Sequence, residues 1–315
     1  MVRMDGGERV TIGVPLYNGA ATLRRCIDSL VIQTAPGCVI HIADDGSRDA
    51  SREEARAIVA AYPQVKLTLH PTNLGPAGNF GFLLNAATTE YFMWLAADDW
   101  VAPDYVARML AVLERRADVV CCVSRVRFGR DALERFGTGG YPLRHSVAEN
   151  LAVFLSNPSD NTRQYGLYRR AALAASFPPR HFHAYDWAAT AGTLRFGTHE
   201  EVAATLLFRD HTPTGEYLAA IARDNLRWFD RLFPLWPMTQ ELLHRQRIPL
   251  TWSIAMALAE LNIHYLLTYA AYSAKRGRRP LDALRRFWDR HLGWRMKTRA
   301  WDIAPLDEAD PRGSR

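Results

Sequence analysis

Two pairs of adjacent aspartates in this 315-residue chain stand where carboxylates can bind ligands, because each pair directly follows an apolar run. The pairs are Asp44–Asp45 and Asp98–Asp99. Adjacent carboxylates repel each other unless a cation or hydrogen-bond donors intervene, so the second pair indicates a site for Mg²⁺ or Mn²⁺, or for a ribose. The alternative is that one of these carboxylates caps the following helix.

The first pair offers two different roles. Asp44 lies closest to the end of a predicted strand, where its carboxylate can accept a hydrogen bond from the ring N–H of a pyrimidine. Asp45 and Ser47 flank a turn glycine, Gly46, and equally suit turn and helix-cap chemistry. The sequence leaves both roles open for these two residues.

Two further segments of the first half contain polar side chains that suit a nucleotide. Pro15, Tyr17 and Asn18 end the first predicted strand, where an aromatic edge and an amide can meet a flat heterocycle or form an ordinary turn. The glycine-rich segment 73–79, which contains Asn73, Gly75 and Asn79, can bring backbone N–H groups close to a phosphate or can be a simple loop. Neither the dinucleotide fingerprint nor the phosphate-loop motif occurs.

The second half contains one carboxylate among aromatic residues. Asp186 lies within the segment 181–187, where loss of hydration raises the pKa of a carboxyl group and favours a role as general base. The alternative is that Asp186 caps a helix beginning at Trp187. His211 is a lone imidazole, which is more often structural than a ligand.

These residues need a scaffold that brings strand ends together. Residues 1–125 alternate short β-rich runs with helical patterns, which predicts βαβ units around a mostly parallel sheet. The predicted strands cover 10–15, 38–43, 65–69, 91–96 and 119–123, and the helices between them cover 21–32, 52–62, 78–87 and 104–116. In such a sheet, ligands bind at the carboxyl ends of the strands.

The remainder of the chain is less regular and then helical. Residues 126–211 predict a smaller α+β half, and amphipathic helices are expected around 226–236 and over 252–274. No apolar run is long enough to span a membrane and no signal peptide is evident, so we expect a cytoplasmic protein. The four cysteines show no C-x-x-C spacing, which disfavours a zinc site.

The net charge of +6 is concentrated near the C-terminus. Residues 275–299 contain ten Lys or Arg and two Asp, a local charge of +8, and an apolar stripe at helical spacing. This combination predicts contact with anionic lipid head groups, although the same helices can pack on the catalytic part or form a homodimer contact. Since residues 1–274 are neutral overall, we expect no nucleic-acid partner.

Taken in order, the motifs resemble the family-2 nucleotide-diphospho-sugar glycosyltransferases of the GT-A fold. Eight short matches lie between residues 14 and 211: Val-Pro-Leu-Tyr-Asn-Gly at 14–19, Ser-Leu-x-x-Gln-Thr at 29–34, Asp-Asp-Gly-Ser at 44–47, Asn-x-Gly at 73–75, Asp-Asp at 98–99 with Pro103, Gly-Leu-Tyr-Arg-Arg at 166–170, Tyr-Asp-Trp at 185–187 and Arg-Asp-His at 209–211. Each match is weak alone, and their order makes the resemblance specific. It implies a nucleotide-sugar half at 1–125, an acceptor half at 126–212, and a helical extension with the basic segment at 213–315.

The resemblance also implies roles for the site residues. Tyr17 and Asp44 would hold the base of the donor, for which a UDP-sugar is favoured, and Asp98 and Asp99 would meet ribose and the metal-bound diphosphate. Asp186 would take the proton of the acceptor hydroxyl during inverting transfer. The predicted nucleotide-sugar site is completed by Pro15, Asn18, Asn73, Gly75 and Asn79, and the predicted metal site by His211.

One departure from the family pattern keeps a second function open. Many members have Asp-Ala-Asp-Asp, whereas Ala96 stands at the first of these positions here. A catalytically silent scaffold at a membrane would retain the same fold and tolerate that change. A sugar nucleotidyltransferase is disfavoured, because the segment after the first strand lacks the Gly-rich, Arg-containing loop expected of that class. The implied activity is therefore metal-dependent transfer of a sugar to a glycan or lipid-linked acceptor.

Overall fold

The computed structural model describes residues 7–129, 135–136, 139–158, 161–210 and 233–275, with only the backbone described at 135–136 and 268–275. Within these residues, one sheet of nine strands contains both the first and the second half of the chain. The predicted boundary at residue 125 falls inside a strand of this sheet, Val119–Phe128. The two predicted halves are therefore joined by one continuous sheet.

The first half of the sheet is parallel. Its strands, in spatial order, are β3 (Val65–Leu69), β2 (Cys38–Asp44), β1 (Val10–Leu16) and β4 (Tyr91–Trp94). Helices α1 (Ala20–Val31), α2 (Ser51–Ala61) and α3 (Gly75–Ala86) connect them. Parallel neighbours need such crossover connections, so their carboxyl ends lie at one edge of the sheet.

The second half of the sheet is mixed. The strand order continues from β4 through β8 (Leu167–Arg169), β6 (Val119–Phe128) and β9 (Thr198–Arg209) to β5 (Trp100–Val101), and β7 (Arg135–Phe136) pairs with β6. Strand β8 is antiparallel to both neighbours, whereas β6 and β9 are parallel. The helices are α4 (Tyr105–Arg115), α5 (Val147–Ser156), α6 (Arg170–Ser176), α7 (Tyr185–Thr193), α8 (Trp236–Gln240) and α9 (Trp252–Lys275).

Two buried clusters hold these layers together. The larger one fills the space between the sheet and α1 to α4, and the apolar periodicity of α1 appears in its buried Leu23, Ile27 and Leu30. The second cluster joins α5 and α7 to α8 and α9 through residues such as Trp187 and Tyr265. The described part of the C-terminal extension therefore packs on the second half of the sheet domain.

The predicted α/β class and the alternation of strands and helices in the first half are confirmed, and three predicted boundaries are wrong by two residues or more. Helix α3 begins at Gly75 rather than Gly78, because Pro76 suits the first helical turn. Strand β4 ends at Trp94 instead of Ala96, where the chain turns towards the second aspartate pair. Strand β6 continues to Phe128 instead of ending at Val123, because β9 pairs with it along that length.

The C-terminal predictions are tested only in part. The helix predicted over 252–274 is confirmed as α9. No helix of the described residues is both long enough and apolar enough to cross a membrane. The helix predicted around 226–236 falls mostly outside the described residues, as does the basic segment beyond Lys275.

Candidate active site

The ends of β1 and β2 form the first wall of the site. Leu16 and Asp44 lie opposite each other in the parallel register, and Pro15 lies opposite Ala43. Tyr17 follows directly and is 50% exposed. The predicted aromatic residue therefore stands at the sheet edge beside the predicted carboxylate, with its ring accessible from solvent.

Asp44 is fully buried and paired through only one of its oxygens. Its Oδ2 accepts hydrogen bonds from Arg52 Nε at 2.7 Å and from Ser47 N at 3.3 Å. Its Oδ1 is buried and accepts no hydrogen bond from the part of the chain that the structure describes. A buried acceptor without a donor is costly, so an N–H group supplied by a ligand would stabilise it.

Asp45, by contrast, holds the following loop in place. Its Oδ1 accepts from Leu74 N at 2.6 Å, and its carbonyl oxygen accepts from Asn73 Nδ2 at 2.8 Å. Asn73 Oδ1 in turn accepts from Gly75 N at 2.9 Å, and Gly75 has φ of 74°. The predicted donor-binding residues Asn73 and Gly75 thus shape the exposed loop that opens α3, and Asp45 has the turn role.

Asn18 and Asn79 also form hydrogen bonds within the protein. Asn18, with φ of 50°, donates its N–H to Ser47 Oγ at 2.9 Å and accepts from Arg48 N at 2.8 Å. Asn79 is buried, donates to the Ala43 carbonyl at 2.8 Å and contacts His70 Nε2 at 3.2 Å. Asn18 therefore joins the ends of β1 and β2, whereas Asn79 links α3 to β2.

The Asp98–Asp99 pair contains one exposed and one buried carboxylate. Asp98 is exposed, and its carboxylate accepts no hydrogen bond from the described residues. Asp99 is 2% exposed; its Oδ2 accepts from Arg209 Nε at 3.1 Å and its Oδ1 from Asp210 N at 3.2 Å. Burial raises the pKa of Asp99 to about 7, an effect that the Arg209 guanidinium opposes and the Asp98 charge reinforces.

Two arginines that the sequence analysis did not identify organise this pair. Arg25 on α1 donates to the Asp98 carbonyl at 2.6 Å and to Asp210 Oδ2 at 2.9 Å, and its guanidinium lies 4.0 Å from the centre of the Trp100 ring. Arg209 at the end of β9 lies over the Tyr165 ring at 4.6 Å. The Arg-Asp-His match at 209–211 includes Arg209 and could have identified it. None of the quoted motifs includes Arg25.

Asp186 lies in the first turn of α7, where the charge of Arg209 acts on its carboxyl group. Its Oδ2 accepts from Asn161 Nδ2 at 2.7 Å. Burial raises the pKa of the Asp186 carboxyl group, and the Asn161 amide, the first N–H groups of the helix and the Arg209 charge partly oppose that rise. The helix begins at Tyr185, with Ala184 as the preceding residue, so Asp186 does not occupy the predicted cap position.

Tyr165 shows that three predicted carboxylates converge. Burial raises the pKa of its phenol, and the charges of Asp99, Asp98 and Asp186 raise it further. The Arg209 guanidinium, which contacts Asp99 and the Tyr165 ring, therefore lies near carboxyl groups from both halves of the sheet domain.

A metal site is only partly defined by these residues. Within the described part of the chain, no group of three or more His, Cys, Asp or Glu side chains is placed to hold an ion. His211, the third ligand predicted from the sequence, lies outside the described residues. The exposed Asp98 carboxylate and its neighbour Asp99 nevertheless fit Mg²⁺ or Mn²⁺, which bind one or two protein carboxylates and complete their shell with phosphate and water oxygens.

Comparison with solved structures shows the GT-A fold. Mannosyltransferase PcManGT from Pyrobaculum calidifontis, in complex with GDP-Man and Mn²⁺, has a TM-score of 0.56 at 19% identity over 92% of this chain and 83% of its own. S. aureus TarS 1-349, in complex with UDP-GlcNAc, has a TM-score of 0.54 at 13% identity over 85% of this chain and 92% of its own. At these identities the similarity is one of fold.

Sequence comparison gives the family. The uncharacterized glycosyltransferase YibD of Escherichia coli K12 is 36% identical over 120 residues, which are 38% of this chain and 35% of YibD. The putative glycosyltransferase EpsH of Bacillus subtilis is 35% identical over 115 residues, which are 36% of this chain and 33% of EpsH. The match thus spans about a third of the length of these curated relatives. Residues 11–177, more than half of the sequence, match the family described as glycosyl transferase family 2, and the chain belongs to that family.

Proposed function

We propose that this protein transfers a sugar, with inversion, from a nucleotide-diphospho-sugar to an acceptor hydroxyl group. The observation that carries the proposal is that Arg209 pairs with Asp99 while its charge also acts on the buried Asp186. This arrangement combines a carboxylate of raised pKa, suited to remove a proton, with a guanidinium and a carboxylate pair that a divalent cation would bridge to a leaving diphosphate.

The base of the donor would bind at the ends of β1 and β2. Tyr17 offers an exposed ring, and Asp44 offers a buried acceptor that lacks a donor. Uracil presents one ring N–H to such an acceptor, which favours a UDP-sugar. Structures of TarS with UDP-GlcNAc and of PcManGT with GDP-Man support a nucleotide-sugar donor for this fold.

The ribose and diphosphate would lie at Asp98 and Asp99. These residues would hold Mn²⁺ or Mg²⁺, which neutralises the negative charge of the leaving diphosphate when it is bound. Arg25 fixes the backbone of Asp98 and Arg209 fixes the side chain of Asp99. Both arginines add positive charge at the place where the diphosphate charge must be balanced.

Asp186 would act as the general base. Its carboxylate would accept the proton of the acceptor hydroxyl as the oxygen attacks the anomeric carbon, while the bond to the diphosphate breaks on the opposite face. A single displacement of this kind inverts the anomeric configuration and needs no covalent intermediate. Burial of Asp186 raises its pKa, which makes its carboxylate a stronger base than an exposed aspartate.

The acceptor would be a surface glycan or a lipid-linked molecule presented at an anionic membrane. On α9, the exposed side chains of Trp252, Met256 and Ile263 form an apolar stripe and are 81%, 41% and 40% exposed. Helix α9 leads directly into the basic segment 275–299. An exposed apolar stripe next to concentrated positive charge is typical of peripheral membrane attachment.

The test of the proposed function uses donor binding and donor hydrolysis. UDP-GlcNAc and GDP-mannose are screened by thermal shift with EDTA and with Mn²⁺, since a ligand that binds only the folded state raises its stability. Asp186→Asn is expected to keep the thermal shift and abolish release of nucleotide diphosphate. Asp104→Asn, which changes an exposed carboxylate in a surface ion pair, is the control for loss of charge.

Two outcomes would contradict the proposal. Hydrolysis by Asp186→Asn within a few-fold of the wild-type rate would mean that the base lies elsewhere, and Asp210→Asn would then be examined. Absence of any donor binding or hydrolysis by the wild-type protein with Mn²⁺ would favour the silent scaffold.

A further inference from the structure

Asn161 is buried next to the proposed base. It has the left-handed backbone conformation, with φ of 43°, at the start of the 3₁₀ turn Thr162–Tyr165. Its side chain is 2% exposed, and its Nδ2 donates to Asp186 Oδ2 at 2.7 Å. This is a short hydrogen bond from a neutral amide to a carboxylate, which is the stronger kind of side-chain hydrogen bond.

The orientation of the Asn161 amide is itself fixed. Thr190, one turn further along α7 than Asp186, is buried and donates its hydroxyl to Asn161 Oδ1 at 3.3 Å. Because an ionised carboxylate can only accept, the amide nitrogen must face Asp186, and the amide oxygen is left to accept from the Thr190 hydroxyl. The Asn161 side chain thus donates to Asp186 through its nitrogen and accepts from Thr190 through its oxygen.

We propose that Asn161 is a positioning residue for sugar transfer, which holds the Asp186 carboxylate in one orientation and keeps it ionised for proton removal. The inference rests on the proposed function, in which Asp186 is the base. Thr190 acts one step further away, by donating to the amide oxygen and so stabilising the orientation in which the Asn161 nitrogen donates to Asp186.

The electrostatic setting explains why such a donor is needed. Burial raises the pKa of the Asp186 carboxyl group, and a protonated Asp186 cannot remove a proton. The groups that act on it are the Asn161 amide, the first N–H groups of α7, the Arg209 guanidinium from β9 and the Tyr165 phenol from the 3₁₀ turn. Asn161 is the neutral side chain among these that donates directly to a carboxylate oxygen.

A purely structural role is the competing explanation. Asn tolerates the left-handed conformation better than most residues, and Asn161 begins a turn that leads to β8. Glycine adopts that conformation without strain, so Asn161→Gly removes the amide and keeps the turn. Asn161→Asp keeps the size and replaces the donor with a second carboxylate.

The experiment measures the ionisation of Asp186 directly and in catalysis. Protein labelled with ¹³C at the aspartate carboxyl carbons is titrated by NMR, and the Asp186 signal is assigned by its loss in Asp186→Asn. The pH dependence of kcat/KM for hydrolysis of UDP-GlcNAc or GDP-mannose with Mn²⁺ is recorded in parallel. Thr190→Val is compared with Thr193→Val, the same change at another buried threonine of α7.

In Asn161→Gly, we expect the Asp186 pKa and the acid limb of kcat/KM to rise together by about one to two pH units. A larger rise is expected in Asn161→Asp and a smaller one in Thr190→Val, whereas Thr193→Val should match the wild type. An unchanged Asp186 pKa in Asn161→Gly would overturn the inference and leave Asn161 a structural residue, even if the melting temperature falls.

The proposed function and this inference fail in different ways. If Asp186→Asn hydrolyses donor at a near-normal rate, the proposed base is wrong and the positioning role ends with it. If Asp186→Asn is inactive but the pKa of Asp186 is the same in Asn161→Gly as in the wild type, only the positioning role is wrong. A shifted NMR pKa with an unshifted rate profile refutes the role of Asn161 in catalysis.

Discussion

Replacement of Asp44 by asparagine is expected to change which nucleobase the protein prefers. Asp44 Oδ2 accepts hydrogen bonds from Arg52 Nε and Ser47 N, and both groups can only donate. The side-chain oxygen of the introduced asparagine must therefore occupy the Oδ2 position, and its NH₂ group must occupy the position of the unpaired Oδ1. The substitution turns a buried acceptor into a donor without changing its place.

The expected size of the effect follows from the bond that is lost. A hydrogen bond to a charged group contributes about 1.5–3 kcal/mol, so loss of the contact with the uracil N–H should weaken UDP binding about 10- to 100-fold. Cytosine carries an acceptor at that ring position and should bind the new NH₂ group. The ratio of UDP to CDP affinity should therefore fall by at least this factor. Because Oδ1 is buried in the ligand-free protein, the residues around it must move when the base enters.

Isothermal titration of UDP and CDP into the wild type and Asp44→Asn measures this ratio. Asp45→Asn is the matched control, because Asp45 is its buried neighbour and its carboxylate accepts from Leu74 N in the protein. That control should lower stability and leave the ratio unchanged. Asp44→Asn also loses the ion pair with Arg52, so the folding stability of both variants is measured beside their affinities.

The reasoning is refuted if Asp44→Asn binds UDP and CDP in the wild-type ratio. Asp44 would then serve only to hold Arg52 and the turn at Ser47. An equal change of the UDP-to-CDP affinity ratio in Asp44→Asn and Asp45→Asn would also refute the reasoning, because no oxygen of Asp45 is proposed to bind the base.

Three further predictions concern the metal, the C-terminal packing and the membrane. Nucleotide diphosphate should bind more tightly with Mn²⁺ than with EDTA, and Asp99→Ala should remove this difference along with activity; equal wild-type affinity in both conditions would contradict the metal site. Gly192→Ala should lower the free energy of unfolding by about 1–3 kcal/mol in urea denaturation, because the added Cβ would clash with Gln246 Oε1. Gly7→Ala is the control and should leave stability unchanged, because the Cβ added there meets open space. The full chain should pellet with anionic liposomes at low salt and less at high salt. A version that ends near Ser273, and so lacks the basic segment 275–299, should not pellet. Equal pelleting of both proteins would favour dimerisation or intramolecular packing.

The elements of the sheet could be predicted because their signals are local. The first two strands contain short apolar runs, and the helices that follow them, α1 and α2, show apolar spacing on one face, as in Leu23, Ile27 and Leu30. The errors arose where another element decides the boundary. Strand β6 extends beyond its apolar run because β9 supplies hydrogen-bond partners up to Phe128.

Most partners of the site residues could not be predicted, because they come from distant parts of the chain. Arg209 pairs with Asp99 across 110 positions, and Asn161 meets Asp186 across 25. Arg52 reaches Asp44 from the next helix, where nothing in its spacing distinguishes it from a solvent-exposed arginine. Only the tertiary arrangement of β2, β4, β9 and α7 creates these contacts.

The two aspartate pairs, identical in sequence signature, divide their chemistry in the same way. In each pair the second carboxylate is held by the protein: Asp45 by Leu74 N, and Asp99 by Arg209 and Asp210 N. The first retains capacity for a ligand, since Asp44 has an unpaired oxygen and Asp98 is exposed. Two adjacent anions can coexist at a strand end when protein donors stabilise one of them. The second aspartate therefore fixes the loop while the first is left to meet the donor, and in the proposed metal site Asp99 has both roles.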